Sequence, residues 1–204
     1  MRERGMKVEV RELRKEDLPA YRVVYTVGYY YSIYREWLLK GLMESWCAPP
    51  KDARCLLALA EGSPAGLIVY RARGDKVDIE ELAVIPEYRR RGVARALVEK
   101  LAEVAKGMGA REIQATVPCG QFEGDPRLGE LLEAYRRLGF TLEGISLWVE
   151  CRGRPPVEAL DERGSRLLVY ESSLRELSKL SVEYRVVEEW GRNYTLVRRV
   201  SSTR

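Results

Sequence analysis

The sequence predicts a mixed α/β fold, a mixed sheet with helices on both of its faces. Three observations predict it. Apolar runs at 55–60, 65–73 and 77–85 are separated only by turn residues, the pattern of successive strands. A helical repeat over 93–106 lies between the last of these runs and another strand-like stretch at 111–117. A second helical stripe, Leu128, Leu131, Leu132, Tyr135 and Leu138, precedes further strand-like stretches. Strands joined by helices in this way need helical cover on both faces of the sheet.

In chain order, residues 6–13 alternate like an edge strand. Asp17-Leu18-Pro19 offers a helix start, with Asp17 as cap and Pro19 in the first turn. The helical region runs to about residue 45, with Gly28 as the place for a break. After a loop at 51–54 come the strand 55–60, the turn Glu61-Gly62-Ser63-Pro64, the strand 65–73, the turn Gly74-Asp75 and the strand 77–85, which Pro86 ends. The helix over 93–106 carries the stripe Leu97, Val98, Leu101, Val104 and Ala105, and Gly107 and Gly109 close it. Gly139 caps the 128–138 helix, with Phe140 packing back on it. Strands are expected at 140–151 and 166–172. Residues 1–172 read as one domain, and 173–204 as an extension. In the extension Ser173-Leu174-Arg175-Glu176 fits a capping box, and 181–190 with 193–200 form a hairpin around Gly191-Arg192.

Hydrophobic content of 46% beside 32% charge is that of a globular chain, and a net charge of +4 permits an anionic ligand without demanding nucleic acid. No apolar run reaches the roughly 18 residues that a bilayer span needs, and MRERGMKVEV has no apolar signal-peptide core. A cytoplasmic protein without a membrane partner is expected. With no histidine and no CxxC among Cys47, Cys55, Cys119 and Cys151, a metal site is not expected, and Ser-His or Cys-His catalysis is excluded. Asn193 is the only asparagine, and Gln114 and Gln121 are the only glutamines; this scarcity of amides beside abundant charge points to a thermophile. Cys47 and Cys55 are the nearest pair for a disulfide, with buried free thiols as the plainer alternative.

The stretch IPEYRRRGVARALVEKL concentrates Arg89, Arg90 and Arg91 at the start of a helix whose end already carries partial positive charge. The arrangement repels itself unless an anion binds there. Gly92 lets backbone N–H groups approach such a ligand, and the helix start aims unpaired N–H groups at the same spot, which suits a phosphate or pyrophosphate. The pattern is neither GxxxxGK[ST] nor GxGxxG.

DIEELAVIPEYRRRGVARALVEKLAEVAKGMGAREIQATV is similar to the acetyl-CoA-binding core of the GNAT superfamily of N-acetyltransferases. The superfamily's loop, Q/R-x-x-G-x-G/A, corresponds to Arg89, Arg90, Arg91, Gly92, Val93 and Ala94. Its second signature, Y-x-x-x-G-F, corresponds to the run from Tyr135 to Phe140. The resemblance implies the GNAT fold: a central, mixed, mostly antiparallel twisted sheet of six to seven strands with helices on both faces. It implies acetyl-CoA as cofactor, with its pyrophosphate on the loop and its pantetheine arm along Leu82, Ala83 and Val84. It implies transfer to a primary amine by direct attack in a ternary complex, Tyr135 being the general acid toward the sulfur. Glu80 is the first choice of base and Asp78 the second; each could instead be a surface carboxylate paired with an arginine. Strand alternation puts Asp78, Glu80 and Leu82 on one face and Glu81 on the other, where a structural role is expected. The sequence departs from the pattern with Gln121 where many members have asparagine, with an inserted FEGDPRLG, and with Thr116 in place of an acid.

The acceptor is a protein N-terminus, a lysine or a small amine. The resemblance implies that the aromatic stretch from Tyr21 to Trp46 walls its pocket, through Tyr25, Tyr29 and Tyr30, although core and interface packing is the better account of most of these rings. The tail leaves a homodimer open, by strand pairing, or else covers a sheet edge. A non-catalytic acyl-CoA-binding module would keep the loop without needing Tyr135. A nucleic-acid binder using the arginines is the weakest alternative at this net charge.

Overall fold

The computed structural model describes residues 6–41, 43–118, 125–149, 157–160, 166–169 and 189–200. They belong to two compact units. One comprises the chain up to Gln114 with residues 137–139 and 198 onward, and the other residues 115–136 and 140–197.

In the first unit, β1 (Val8–Glu12), β2 (Arg54–Ala60), β3 (Ser63–Arg73) and β4 (Lys76–Val84) pair antiparallel in sequence order. Gly62 and Gly74, both at positive φ, make the tight turns between them. Because side chains alternate along a strand, each strand has two faces to bury. One is covered by α1 (Leu18–Tyr30), whose Tyr21, Val24, Tyr25 and Tyr29 pack on Cys55, Leu57, Leu67, Val69, Ala83 and Ile85. The other is covered by α3 (Val93–Gly107): a Cβ built on Gly66 would meet Val93 and Leu97 at 2.8 and 3.1 Å. Leu97, Val98 and Leu101 are fully buried, as the apolar stripe requires.

β5 (Glu112–Pro118) follows α3, and the sheet has seven strands in the order β1-β2-β3-β4-β5-β9-β6. In the second unit β6 (Thr141–Val149) pairs antiparallel with β9 (Glu189–Arg199), and β7 (Val157–Leu160) with β8 (Arg166–Val169) forms a separate two-stranded sheet. The same unit holds most of α4 (Pro126–Arg137). Gly139 at φ 86° ends that helix, the N–H of Phe140 donates to Tyr135 O at 3.1 Å, and the two rings stack edge-on. The expected fold class therefore holds.

Several expectations are corrected. The first helical region breaks after Tyr30, two residues beyond Gly28, and a short α2 (Arg35–Leu39) follows. Gly28 sits inside α1 because the helix runs close to β4 there: a Cβ would lie 3.0 Å from that of Ala83. Asp17 occupies the cap position of α1 but makes no cap bond. Its carboxylate binds Arg11 at 2.5 and 2.8 Å and accepts the N–H of Arg14 at 2.8 Å. No turn forms at Gly191-Arg192; β9 runs straight through them, and it lies between β5 and β6. The capping box at 173–176 and residues 181–188 lie outside the described residues. Cys47 and Cys55 are free thiols, and burial pushes the Cys55 thiol up to about 12. Among the described residues no helix is long and apolar enough to cross a membrane.

Candidate active site

The arginine loop connects β4 to α3. Pro86 opens a single helical turn, and Arg89 follows it in extended conformation. Arg90 then adopts φ 61° and Gly92 φ 86°. A left-handed backbone at a non-glycine residue is costly, about 1–2 kcal/mol, so Arg90 stores strain in this turn. Gly92 is the N-cap of α3 and makes no side-chain cap bond; the first turn of α3 carries no acid. The N–H groups opening this helix thus lack the partners that caps usually provide. A Cβ at Gly92 would meet nothing within 4 Å, so there is room over the turn. Arg90 and Arg91 are exposed, and Val93 is buried under the helix. Unsatisfied donors, the positive helix end, open space and two guanidinium groups make an anion site fit for phosphate or pyrophosphate.

Arg89 behaves differently. Its guanidinium donates to three main-chain carbonyls, those of Val84 at 3.1 Å, Tyr31 at 3.0 Å and Gly28 at 2.9 Å. The turn therefore presents Arg90 and Arg91, not all three arginines, to a ligand. Leu82 and Val84 are half-buried and Ala83 is buried in the α1 cluster.

The β4 carboxylates depart from the expected alternation. Val69 pairs with Glu81 while Tyr70 pairs with Ile79, so Glu80 is the extra residue of a bulge. The bulge puts Asp78 out of step with Leu82, while Glu81 shares the α1 side with Ala83, and there the hydroxyls of Tyr25, at 2.9 Å, and of Tyr29 donate to its carboxylate. Burial holds the Glu81 carboxyl above its usual range. The two tyrosine bonds pull the other way and do not win: such bonds are worth about 1.5–3 kcal/mol each to a charge, while burying one costs several. Asp78 lies 2.8 Å from Arg73, and Glu80 3.7 Å from both Arg71 and Arg73. Burial also raises Asp78, against the opposing charges of Arg73 and Lys76.

Of the aromatic wall, Tyr25 and Tyr29 are buried, committed to Glu81, and stacked with ring centroids 4.7 Å apart. Tyr30 points elsewhere: Arg35 lies over its ring at 4.4 Å and donates to its hydroxyl at 2.8 Å. Tyr135, in the second unit, is buried against Phe140 with ring centroids 5.4 Å apart. The sequence assigns Glu81 a structural role on the face away from Leu82 but not its hold by Tyr25 and Tyr29; the doubled Glu80-Glu81 ahead of an apolar run signals that one of two adjacent acids must face inward.

Residues 9–140 match the family model described as Acetyltransferase (GNAT) family. The chain belongs to that family. It is 30% identical over 97 residues to streptothricin acetyltransferase of Streptomyces lavendulae; the match takes in 46% of this chain and 48% of that protein, so it spans about half of that relative's length. Among solved GNAT structures, the ribosomal-protein-S18-alanine N-acetyltransferase of Escherichia coli aligns with a TM-score of 0.55 at 15% identity, over 97% of this chain and 96% of that one. PaiA N-acetyltransferase of Thermoplasma acidophilum, solved in complex with coenzyme A, aligns at 0.55 and 20% identity over 68% and 92%. A GNAT acetyltransferase of Elizabethkingia anophelis with acetyl-CoA bound aligns at 0.52 and 12% identity over 94% and 97%. At these identities the structural likeness speaks for the GNAT fold.

Proposed function

We propose that the protein is an acetyl-CoA-dependent N-acetyltransferase whose acceptor is a primary amine of a peptide, a protein or a small molecule. The observation that carries this reading is the uncapped start of α3 beneath the strained turn at Arg90 and Gly92. Acetyl-CoA brings the pyrophosphate such a site suits and, when bound, a thioester ready for acyl transfer. On this reading the main-chain N–H groups of residues 90–94 and the side chains of Arg90 and Arg91 hold the phosphates. The strand at Leu82, Ala83 and Val84 guides the pantetheine arm. The solved relatives with coenzyme A or acetyl-CoA bound favour the same ligand.

The amine must be neutral to attack. A β4 carboxylate removes its proton as the new C–N bond forms and the C–S bond breaks. Glu80 is the first motif position for that base and Asp78 the second; burial raises the affinity of Asp78 for a proton, as the role requires. Tyr135 returns a proton to the departing sulfur. Tyr25, Tyr29 and Tyr30 belong to the helix that walls the acceptor side, the first two through their hold on Glu81.

Calorimetric titration tests the reading. Acetyl-CoA should bind selectively over ATP and NAD and stay bound as salt is raised. Equal binding of ATP, or no binding at all, would overturn it. With an acceptor in hand, Tyr135→Phe should lower turnover and leave cofactor affinity nearly unchanged.

A further inference from the structure

Arg89 opens the motif of the arginine loop, yet its side chain faces main-chain carbonyls instead of the open space over Gly92. The three carbonyls come from two elements. Gly28 and Tyr31 lie in the last turn of α1 and at its C-cap, where helical carbonyls run out of intrahelical donors and negative partial charge collects. That turn has no basic residue of its own, so the cation is supplied from far along the chain. Val84 is the last residue of β4. One planar guanidinium thus ties the end of α1 and the end of β4 to the start of the loop, and its rigid fork keeps the three at fixed separations. Packing reinforces the tie. Gly28 brings the α1 backbone so close to β4 that a Cβ there would be 3.0 Å from Ala83 Cβ and 3.5 Å from Val84 N.

What hangs on this tie is the other half of the site. α1 carries Tyr25 and Tyr29, the two residues whose hydroxyls hold Glu81. A shift of the last turn of α1 moves Tyr29 directly. We propose that Arg89 is a positioning residue that couples the anion-binding loop to α1, so that a ligand on residues 90–94 tightens the last turn of α1 and the Tyr25–Glu81–Tyr29 cluster. The inference rests on the loop being the acetyl-CoA site and adds to it how that site communicates with the acceptor side. A purely architectural staple would also loosen α1 when removed, but it would leave α1 indifferent to ligand.

Amide hydrogen exchange with and without saturating acetyl-CoA separates these. In the wild type, acetyl-CoA should slow exchange in the loop 90–94 and also at 28–32, the latter by about fivefold or more, the lower end of ordinary coupling between sites. In Arg89→Met, which keeps the length and apolar stem, acetyl-CoA should still slow the loop while the response at 28–32 is lost. Arg89→Lys, with one compact ammonium in place of the fork, should restore only part of it. Loop protection in the wild type with no change at 28–32 would overturn the coupling, as would a full response in Arg89→Met. The wild-type arm decides by itself should the variants fail to fold. If acetyl-CoA protects neither segment, the cofactor assignment itself falls and the coupling falls with it, a result unlike either of the others.

Discussion

Gly92 holds φ 86° with nothing within 4 Å of where a Cβ would sit, so two separate requirements meet at one residue. The backbone conformation disfavours any L side chain, by about 1–2 kcal/mol, and the open space is where a ligand would approach. Asparagine tolerates the left-handed region better than valine. Gly92→Val should therefore lose about 1–2 kcal/mol in denaturant melts and lose acetyl-CoA binding in titration. Gly92→Asn should keep most of the stability and still bind weakly, because its side chain occupies the approach. Glu81 supports a second residue-scale prediction. Its folded-state pKa is raised, chiefly by burial. The protonated form is thus the one that folding favours, and the stability it contributes is complete below the ordinary glutamate pKa and lost as pH rises through the raised value. Glu81→Gln removes the titration. The stability of the wild type relative to Glu81→Gln should fall as pH rises above the ordinary glutamate range and level off beyond the raised value; a difference that stays flat with pH would contradict the burial argument. Gly92 was legible in the sequence because its motif and its helix start state the same need. Glu81 was legible in part, since alternation set it apart from Leu82 for a structural role; the face of Asp78 was not, because the bulge at Glu80 is set by how β3 and β4 pair, which no local pattern records.

At the scale of elements, α1 shows how a glycine can serve packing where propensity would exclude it. Gly28 lies within the helix, where alanine would gain about 1 kcal/mol of intrinsic helix stability. The added methyl would sit 3.0 Å from Ala83 Cβ, an atom fixed to the β4 backbone that cannot swing away. Overpacking of this kind costs about 1–3 kcal/mol, more than the propensity gain. Gly28→Ala should lower the thermal midpoint, and Gly28→Val should lower it further; a higher midpoint for Gly28→Ala would mean that α1 can lift from the sheet without cost. The stripe of α3 was legible because a 3.6 repeat persisted along it, and β2, β3 and β4 because apolar runs stood between turn residues. Gly28 misled as a breaker for the same reason that it is useful: the lack of a side chain marks a break in isolation and a close approach in context.

For the whole molecule, the cofactor reading makes a thermodynamic demand. A ligand that binds only the folded chain adds about 2.7 kcal/mol at one hundred times its dissociation constant. For a chain of this size that is an upward shift in melting midpoint of roughly 5–10 °C. Differential scanning with acetyl-CoA should show it, and ATP and NAD at the same concentrations should not. The sheet was foreseen in class from the strand and helix patterns and in strand number from the family resemblance, and its first four strands lie in the sheet in sequence order. The tail was misread as a local hairpin. Gly191-Arg192 looks like a turn to any short-range rule, whereas pairing of these residues with Trp148 and Leu147 of β6 keeps β9 extended there.

That placement of β9 has a consequence for how the chain is made. β5 and β6 leave the ribosome before the strand that lies between them, with β7 and β8 emerging in the interval. At about 5–20 residues per second the delay is several seconds. Through it the nascent chain presents two open strand edges in place of one filled gap, and such edges are templates for pairing with other chains. The hazard is over once β9 docks, so it belongs to synthesis and not to the finished protein. Slower translation between β6 and β9, or loss of the factors that shield nascent chains, should lower the soluble yield without changing the melting midpoint of whatever folds.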